Sequence, residues 1–362
     1  MLHLRALRIS LVVAIALSCG DRGFANEKVQ AKRHVVVVVW DGMRPDFVSK
    51  ENTPALWKLA QEGVIFRNHH AVYPSATMVN GTALVTGIYP GKSGIIANHE
   101  YRPEIDRKHP IDVEIPAVVE KGDQLSGGKY ISFPTIAELV QKAGGRTAIA
   151  TTKTVGLLLD RHVDPVGPKN GVTLFVGKAL PPDALAPIVA ALGPFPSAHL
   201  QQDAWTTKAL TELLWKEGVP AFSELWLGEP DLTEHESAPG SPSALAAIKA
   251  SDENLATVLS TLDRNGVRET TDVFIVSDHG FSTIKRSIDL RKFSGMPASA
   301  RRLSLPTNRN AEISCWSETA AAFYFMLRAT APKLRIVSLN FYSRRISPEL
   351  FSRKSQCLGH SI

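Results

Sequence analysis

The chain has 362 residues, of which 44% are hydrophobic and 21% charged, and this length allows one large domain or two smaller ones. The formal net charge is +6, but residues 291–362 alone carry 12 Lys/Arg against 3 Asp/Glu, a net charge of +9. Residues 1–290 therefore carry 29 Lys/Arg against 32 Asp/Glu, a net charge of −3, without a basic stripe interleaved with aromatic residues. This distribution argues against a nucleic-acid polymer as the partner.

The first 25 residues have the pattern of an export signal. Two arginines precede a short apolar stretch, residues 9–17, which is too short to span a bilayer as a helix. Small residues before Asn26 predict cleavage there, so residues 1–25 are predicted as a signal peptide and the mature protein as periplasmic or secreted. Two alternatives stay open: lipidation at Cys19, the one route by which we expect a membrane contact, and an uncleaved anchor.

Apolar, β-branched runs alternate with amphipathic segments from residue 34 onwards. The predicted strands are 34–40, 64–66, 147–151, 221–227 and 273–277, and the predicted helices are 54–62, 77–85, 134–142, 205–215 and 244–262. This alternation is typical of an α/β domain with a mostly parallel sheet. Two stretches rich in proline and glycine, 102–130 and 163–200, are predicted as insertions or loops over the site.

Acidic and imidazole side chains follow three of the predicted strands. Asp41 follows the first strand, Asp278 and His279 follow the last, and Asp231 and His235 follow the fourth after a short loop. Ligands of open α/β sheets bind outside the carboxyl ends of the strands, and carboxylates with imidazoles suit zinc. An isolated aspartate there is most often a helix cap or turn residue, so the predicted metal site depends on the joint order of these residues.

The segment YPSATMVNG, residues 73–81, lies between the first two of these acidic positions. Thr77 is at the predicted start of a helix, where free backbone N–H groups favour a phosphate anion. Its hydroxyl becomes a good nucleophile only when a base or a metal lowers its pKa. Asn80, one turn further on, can present its amide to a phosphate oxygen. The alternative, in which Thr77 is a helix cap and Asn80 a turn residue, stays open from the residues alone.

In this order, the segments resemble the nucleotide pyrophosphatase/phosphodiesterase family of the alkaline phosphatase superfamily over roughly residues 34–290. The matching pieces are Asp41-Gly42, Asn52 to Val64, Thr77 with Asn80, Val85 to Ile95, Glu229-Pro230-Asp231 with His235, and Ser277 to Gly280. The resemblance implies an α/β fold with an alkaline-phosphatase-like core, a mostly parallel sheet flanked by helices, in a catalytic domain spanning residues 33–290. It also implies hydrolysis of phosphodiester or pyrophosphate bonds in a small-molecule phosphate ester or nucleotide.

The resemblance further implies two zinc ions and a phospho-threonine intermediate. The implied ligands are Asp41, Asp278, His279 and Thr77 for the first ion and Asp231 and His235 for the second. Thr77 is then the nucleophile, and Asn80 with the Thr77 backbone N–H holds the charge on the phosphate oxygens.

Two departures from the family pattern matter. Where the family usually has Lys-Thr-Phe-Pro-Asn-His, residues 76–81 are ATMVNG, which leaves the nucleotide preference open and suits a divergent bacterial-type branch. The family also has a third histidine on the second zinc, and after His279 this chain has only His360. The basic tail, residues 291–362, is therefore predicted to leave the family pattern, with an incomplete C-terminal part and a weak second zinc site. A shifted reading frame and a divergent genuine C-terminus are the two explanations.

Three functions follow from these observations. The leading hypothesis is a metal-dependent hydrolase of phosphodiester or pyrophosphate bonds, nucleotides included. The alternatives are a phosphomonoesterase or phosphonate hydrolase of the same superfamily, and an inactive, truncated binding protein of this fold. Arg44, Lys92 and Lys153 are cations that could contact a substrate phosphate, although the sequence places none of them.

Overall fold

The computed structural model describes residues 33–161 and 170–284 and, beyond them, the backbone of three strands in the tail. The chain divides between Arg33 and His34 into two units, and every element given below belongs to the second. The predicted signal peptide, Cys19 and His360 lie outside the described residues. Within the described residues, no helix combines the length and the apolar character that crossing a membrane requires.

The strands are named here in chain order. They are β1 (His34–Trp40), β2 (His99–Glu100), β3 (Ile111–Asp112), β4 (Thr147–Thr151), β5 (Gly171–Phe175), β6 (Lys178–Leu180), β7 (Phe222–Leu227), β8 (Thr271–Val276), β9 (Glu312–Trp316), β10 (Ala322–Arg328) and β11 (Arg335–Asn340). The main sheet has six strands in the order β6-β5-β4-β7-β1-β8, and β2 pairs with β3. In the main sheet all neighbours are parallel except β5 and β6, which confirms the predicted mostly parallel α/β sheet.

Helices connect the strands of the main sheet. They are α1 (Pro54–Glu62), α2 (Thr77–Thr86), α3 (Pro90–Ser93), α4 (Pro116–Ser126), α5 (Ile136–Lys142), α6 (Gly156–Leu159), α7 (Leu185–Leu192), α8 (His199–Lys208), α9 (Asp231–Ser237) and α10 (Pro242–Arg264). A π-helical stretch, Ala209–Leu214, continues α8. Three short 3₁₀ turns occupy Pro45–Phe47, Pro182–Ala184 and Arg268–Thr270.

Local capping fixes several helix ends. The Thr135 side chain accepts the N–H of Glu138, whose carboxylate accepts the N–H of Thr135, a capping box that begins α5. The long helix α10 begins with Ser241, whose hydroxyl oxygen accepts the N–H of Ala244. Gly87 ends α2 with φ +68°, a left-handed conformation that glycine adopts without steric cost.

The main sheet is buried on both faces. Val36, Val38 and Trp40 of β1 belong to one apolar cluster, whereas Val39 belongs to a second on the opposite face, as the alternation of side chains along a strand requires. Burying a valine side chain of this kind stabilises the fold by about 1.5–3 kcal/mol. The HVVVVVW run therefore forms a central strand because both of its faces are covered.

The register of the central strands brings their carboxyl ends to one level. Trp40 of β1 pairs with Leu227 of β7, and Val39 pairs with Val276 of β8. The residues that follow these three strands therefore meet at one edge of the sheet, and the candidate site lies at this edge.

Several predicted elements differ from the structure. The segment 64–66 is not a strand, because no described strand pairs with it, and its side chains are exposed. The stretch 102–130, predicted as a loop, contains β3 and α4, and the stretch 163–200 contributes β5, β6 and α7. In the tail, β9, β10 and β11 form an antiparallel sheet in a region where the sequence predicted no strand.

Candidate functional site

The loop after β1 places Asp41 at the centre of the site. Asp41 is completely buried, and its backbone carbonyl accepts the N–H of Asp231 at 3.1 Å, which joins the loops after β1 and β7. The next residue, Gly42, has φ +72°, and a Cβ added there would lie 2.9 Å from the Cβ of Asp231. Glycine is therefore required at this position both by the backbone conformation and by the close approach of the two loops.

The loop after β7 supplies Asp231 and His235. Asp203, itself buried, accepts the backbone N–H groups of Gly228 and Glu229 at 2.9 and 3.1 Å and so fixes this loop. Asp231 is the first residue of α9 and His235 lies one turn later, so both side chains are on one face of the helix. The Nε2 of His235 is 3.4 Å from the Oδ1 of Asp231.

The loop after β8 supplies Asp278 and His279. The Oδ1 of Asp278 accepts the N–H of Gly42 at 3.2 Å, which leaves its Oδ2 for another contact. The Nε2 of His279 lies 3.3 Å from that Oδ2 and 3.4 Å from the Oδ1 of Asp41. The same nitrogen lies 3.2 Å from the Oγ1 of Thr77, the first residue of α2. His279 is therefore in contact with all three oxygen-bearing side chains.

Asn98 is a site residue that the sequence analysis missed. Its Oδ1 accepts the N–H of Met78, the residue after Thr77, at 3.1 Å. Its Nδ2 donates to the Oε1 of Glu114 at 2.8 Å, so both ends of the amide are held. Nothing in the sequence near Asn98 marks a contact with a helix that begins about twenty positions earlier. Only the fold brings this amide beside Thr77, the predicted nucleophile.

The structure corrects the prediction for Asn80. Its Oδ1 accepts the N–H of Val72 at 2.8 Å, and its Nδ2 donates to the carbonyls of Val72, Pro74 and Ala76 at 3.2–3.4 Å. Both ends of the amide are therefore hydrogen-bonded to the backbone of the loop that leads into α2. Because its donors face backbone carbonyls, we assign Asn80 a structural role instead of a contact with phosphate.

The carboxylate oxygens at the centre fit a bound cation. Asp41 Oδ1, Asp231 Oδ1 and Asp278 Oδ2 are buried and accept no hydrogen bond within the described part of the chain. Each lies 3.3–3.4 Å from a histidine Nε2. Two ligand atoms of a tetrahedral zinc ion, each at about 2.0–2.1 Å from the metal, are about 3.3–3.4 Å apart. The two aspartate oxygens beside His279 and the one beside His235 lie at this distance from the histidine nitrogen.

One ligand atom each from Asp41, Asp231 and His279 lies within 4.8 Å of the others. The structure thus brings together six of the predicted site residues: Asp41, Thr77, Asp231, His235, Asp278 and His279. Among the described residues, that group of three ligand atoms contains one histidine, His279.

A buried lysine lies among these carboxylates. The Nζ of Lys153 is 2.7 Å from the Oδ2 of Asp231 and 3.1 Å from the Oδ2 of Asp41. The Oδ2 of Asp41 also accepts the indole N–H of Trp226 at 2.9 Å. The lysine therefore contacts the Oδ2 atoms of the two aspartates and not their Oδ1 atoms, which have no hydrogen-bond partner among the described residues. Its side chain lies inside the site instead of extending towards solvent.

The charges in the site shift one another's pKa values. Burial, together with the charge of Asp278, raises the pKa of Asp41. Burial alone would raise the pKa of Asp231, but the adjacent imidazole of His235 and the charge of Lys153 lower it. Burial would lower the pKa of Lys153, but Asp41 and Asp231 raise it, so this ammonium stays charged. The site therefore concentrates negative charge that a cation stabilises.

Comparison with known proteins gives distant relatives of one kind. Human ectonucleotide pyrophosphatase/phosphodiesterase family member 1 is 24% identical over 70% of this chain and 24% of its own length. Venom phosphodiesterase of Naja atra is 22% identical over 69% of this chain and 26% of its own length. Ectonucleotide pyrophosphatase/phosphodiesterase family member 7 of Rattus norvegicus is 23% identical over 81% of this chain and 60% of its own length. The chain thus spans less than two thirds of the length of each of these relatives.

Solved structures show the same fold at low identity. Murine ectonucleotide pyrophosphatase/phosphodiesterase 5, solved as an inactive threonine-to-alanine variant with AMP, has a TM-score of 0.53, 21% identity, and coverage of 72% of this chain and 61% of that one. Phosphonoacetate hydrolase of Sinorhizobium meliloti with phosphonoacetate has a TM-score of 0.52, 24% identity, and coverage of 69% and 56%. The alkaline-phosphatase-like core that the sequence predicted is therefore confirmed as the fold.

The family assignment follows from the length of the match. The sequence model described as type I phosphodiesterase / nucleotide pyrophosphatase matches residues 35–324, which include every residue of the site described above. The match continues past residue 291, where the sequence analysis placed the departure from the family pattern. With Thr77, carboxylates and imidazoles gathered at one sheet edge, this chain belongs to the type I phosphodiesterase/nucleotide pyrophosphatase family of hydrolases.

Proposed function

We propose that this chain is a metal-dependent hydrolase of phosphodiester or pyrophosphate bonds in small phosphate esters, nucleotides among them. The observation that carries the proposal is the contact of Thr77 Oγ1 with His279 Nε2, beside buried carboxylate oxygens that accept no hydrogen bond in the described residues. Membership of the family supports the reaction class, and the inactive threonine variant of the murine relative supports a threonine nucleophile.

We assign the metal ligands from the donor atoms that are available. The first Zn²⁺ would be held by Asp41, Asp278 and His279 together with Thr77, and the second by Asp231 and His235. When bound, zinc supplies Lewis-acid chemistry: it neutralises charge on phosphoryl oxygens and lowers the pKa of a coordinated hydroxyl. The second site has two protein ligands among the described residues, so we expect it to bind zinc more weakly.

The residues of the chain provide the nucleophile and the orientation. The Thr77 oxygen forms a bond to phosphorus as the bond to the leaving oxygen breaks, which gives a phospho-threonine that still carries the remaining ester group of the substrate. Water then breaks the bond between Thr77 and phosphorus and releases a phosphate monoester. The N-terminus of α2 favours the phosphate charge through its backbone N–H groups. Asn98 fixes the N–H of Met78 at this terminus, so the start of the helix is held in one geometry.

Replacement of the nucleophile tests the proposal. We expect Thr77→Ala to lower kcat for bis-p-nitrophenyl phosphate by at least about 10³-fold, while zinc content falls only modestly. Acid quenching during turnover should trap a p-nitrophenyl phosphoryl group on Thr77 in the parent protein, detected by mass spectrometry, and none in the variant. Undiminished hydrolysis by Thr77→Ala would refute the assignment.

Two comparisons separate the remaining alternatives. A higher kcat/KM for p-nitrophenyl phosphate, or for a phosphonate, than for the diester would identify a phosphomonoesterase or phosphonate hydrolase. A protein that contains zinc, hydrolyses neither ester, and binds AMP equally well as Thr77→Ala would be a binding protein of this fold. Removal of zinc by a chelator and its re-addition, with activity measured at each step, tests the metal dependence.

We propose that the protein acts outside the cytoplasm, because residues 1–25 have the pattern of a signal peptide. Mass spectrometry of the protein purified from the cell envelope tests this. A mature N-terminus at Asn26 supports a periplasmic or secreted enzyme. A lipid-modified N-terminal Cys19 would instead place it at a membrane, and an intact N-terminus in the cytoplasmic fraction would contradict export.

A further inference from the structure

Lys153 enters the site from the end of β4. Its side chain is 16% exposed, and its backbone carbonyl accepts the hydroxyl of Thr151 at 2.6 Å, which fixes the turn that carries it. The strand β4 lies beside β7, so this turn faces the loop that carries Asp231. The ammonium is thus delivered to the carboxylates by the sheet order, from a strand that supplies none of the assigned metal ligands.

Each of the two aspartates that Lys153 contacts has one carboxylate oxygen towards the lysine and the other towards a histidine. In Asp41, Oδ2 contacts Lys153 and accepts the Trp226 N–H, whereas Oδ1 has no donor among the described residues and faces His279. In Asp231, Oδ2 accepts from Lys153, whereas Oδ1 is without a donor and faces His235. One ammonium therefore fixes one oxygen of each carboxylate and leaves the other turned towards a different imidazole.

We propose that Lys153 is a positioning residue shared by both metal sites, which orients Asp41 for the first zinc ion and Asp231 for the second. The inference rests on the proposed metal binding and goes beyond it, because it makes the two affinities depend on one side chain. Hydrogen-bonding partners of metal ligands typically contribute 10–100-fold to metal affinity through such orientation. A lysine that merely competed with zinc would contact the oxygens facing the histidines, and Lys153 contacts the other two.

Zinc titrations of the full chain test the proposal one site at a time. His235→Ala leaves only the first site intact, and His279→Ala leaves only the second. In each background, Lys153→Met should weaken zinc binding by about tenfold, measured by competition with a chromophoric chelator. Lys153→Arg, which keeps the charge, should lose less than Lys153→Met. Lys129→Met, at an exposed lysine, is the matched control and should change neither affinity.

A second variant separates shared positioning from general damage to the site. Trp226→Phe removes a donor from Asp41 Oδ2 and leaves the contact between Lys153 and Asp231 in place, so it should weaken the first site only. Circular dichroism of the metal-free proteins checks folding. If Lys153→Met does not fold, Lys153→Arg tests the proposal instead. We expect it to weaken zinc binding at both sites, because the planar guanidinium cannot reproduce the contacts of the ammonium with Asp41 and Asp231.

The possible failures are distinguishable. If the parent chain binds no zinc, both the proposed function and this inference are overturned. If the parent binds zinc and the Lys153 variants bind it equally or more tightly in either background, only the shared positioning role is overturned. Tighter binding would identify Lys153 as a competing charge.

Discussion

Glu224 provides the sharpest test of the core. It is completely buried in the middle of β7, where its partners in the neighbouring strands are Val37 and Ile149. Neither carboxyl oxygen has a hydrogen-bond partner within the described residues, and burial raises its pKa from 4.5 to about 8. We expect Glu224→Leu, which removes the ionisable group and fills a similar volume, to stabilise the protein increasingly as the pH rises.

The magnitude follows from proton linkage. Below pH 4.5 the carboxyl of Glu224 is protonated in both states, so its titration has no effect on stability. Between pH 4.5 and about 8 the unfolded chain loses the proton while the folded chain keeps it, so the free energy of unfolding falls as the pH rises. At about 1.4 kcal/mol per pH unit, the loss reaches about 5 kcal/mol at most, and it stops above the folded-state pKa.

Denaturant unfolding of the metal-free proteins measures this loss. The advantage of Glu224→Leu over the parent should grow by about 2–5 kcal/mol between about pH 5 and about pH 8. Other buried carboxyl groups with raised pKa values titrate in both proteins and cancel in the difference; they include Asp41, Asp203 and Glu234. Glu253→Leu, at an exposed position of α10, is the control and should show a constant difference. Parallel pH profiles for the parent and Glu224→Leu would refute this reasoning.

Three further substitutions test the construction of the site. Gly42→Ala forces a Cβ against Asp231 at positive φ, so we expect a loss of about 1–3 kcal/mol in thermal unfolding and weaker zinc binding, and an unchanged melting temperature would contradict this. Asn80→Ala leaves backbone groups of the loop before α2 without partners and should cost about 2–3 kcal/mol in denaturant unfolding; a loss of activity at full stability would restore its predicted role at phosphate. Asn98→Ala frees the N–H of Met78 and should lower kcat/KM by about tenfold, with little change in the melting temperature.

The sequence predicted those parts of the fold that local pattern determines. The run from His34 to Trp40 is apolar at every position except its first, which a strand buried on both faces requires, and the structure has this strand at these residues. Asp41, Asp278 and His279 could be assigned to one edge because parallel strands end together. The spacing of four between Asp231 and His235 was sufficient to place both on one helical face.

The rest depends on contacts that no local pattern encodes. The strand β5, sequence GVTLF, lies in a stretch where prolines and glycines outweigh a short apolar run, so its pairing with β4 was not predicted. The contact of Asn98 with Met78 and the position of Lys153 between two aspartates follow from strand order and register. Asn80 was misassigned because its position one turn after Thr77 fits a phosphate contact as well as the loop bonds that it makes.

The amide that secures the loop before α2 also gives this protein a route to chemical ageing. Asn80 is followed by Gly81, a dipeptide in which asparagine is prone to lose its amide nitrogen, and asparagine is among the thermolabile residues. Deamidation would replace a donor by a carboxylate directed at the carbonyls of Val72, Pro74 and Ala76. Repulsion would then open the segment that precedes Thr77. Asn80 and Gly81 are both buried in α2, so this reaction requires the first turns of the helix to open. A gain of one mass unit at Asn80 on prolonged storage at warm, mildly alkaline conditions would therefore report how often the start of α2 unfolds.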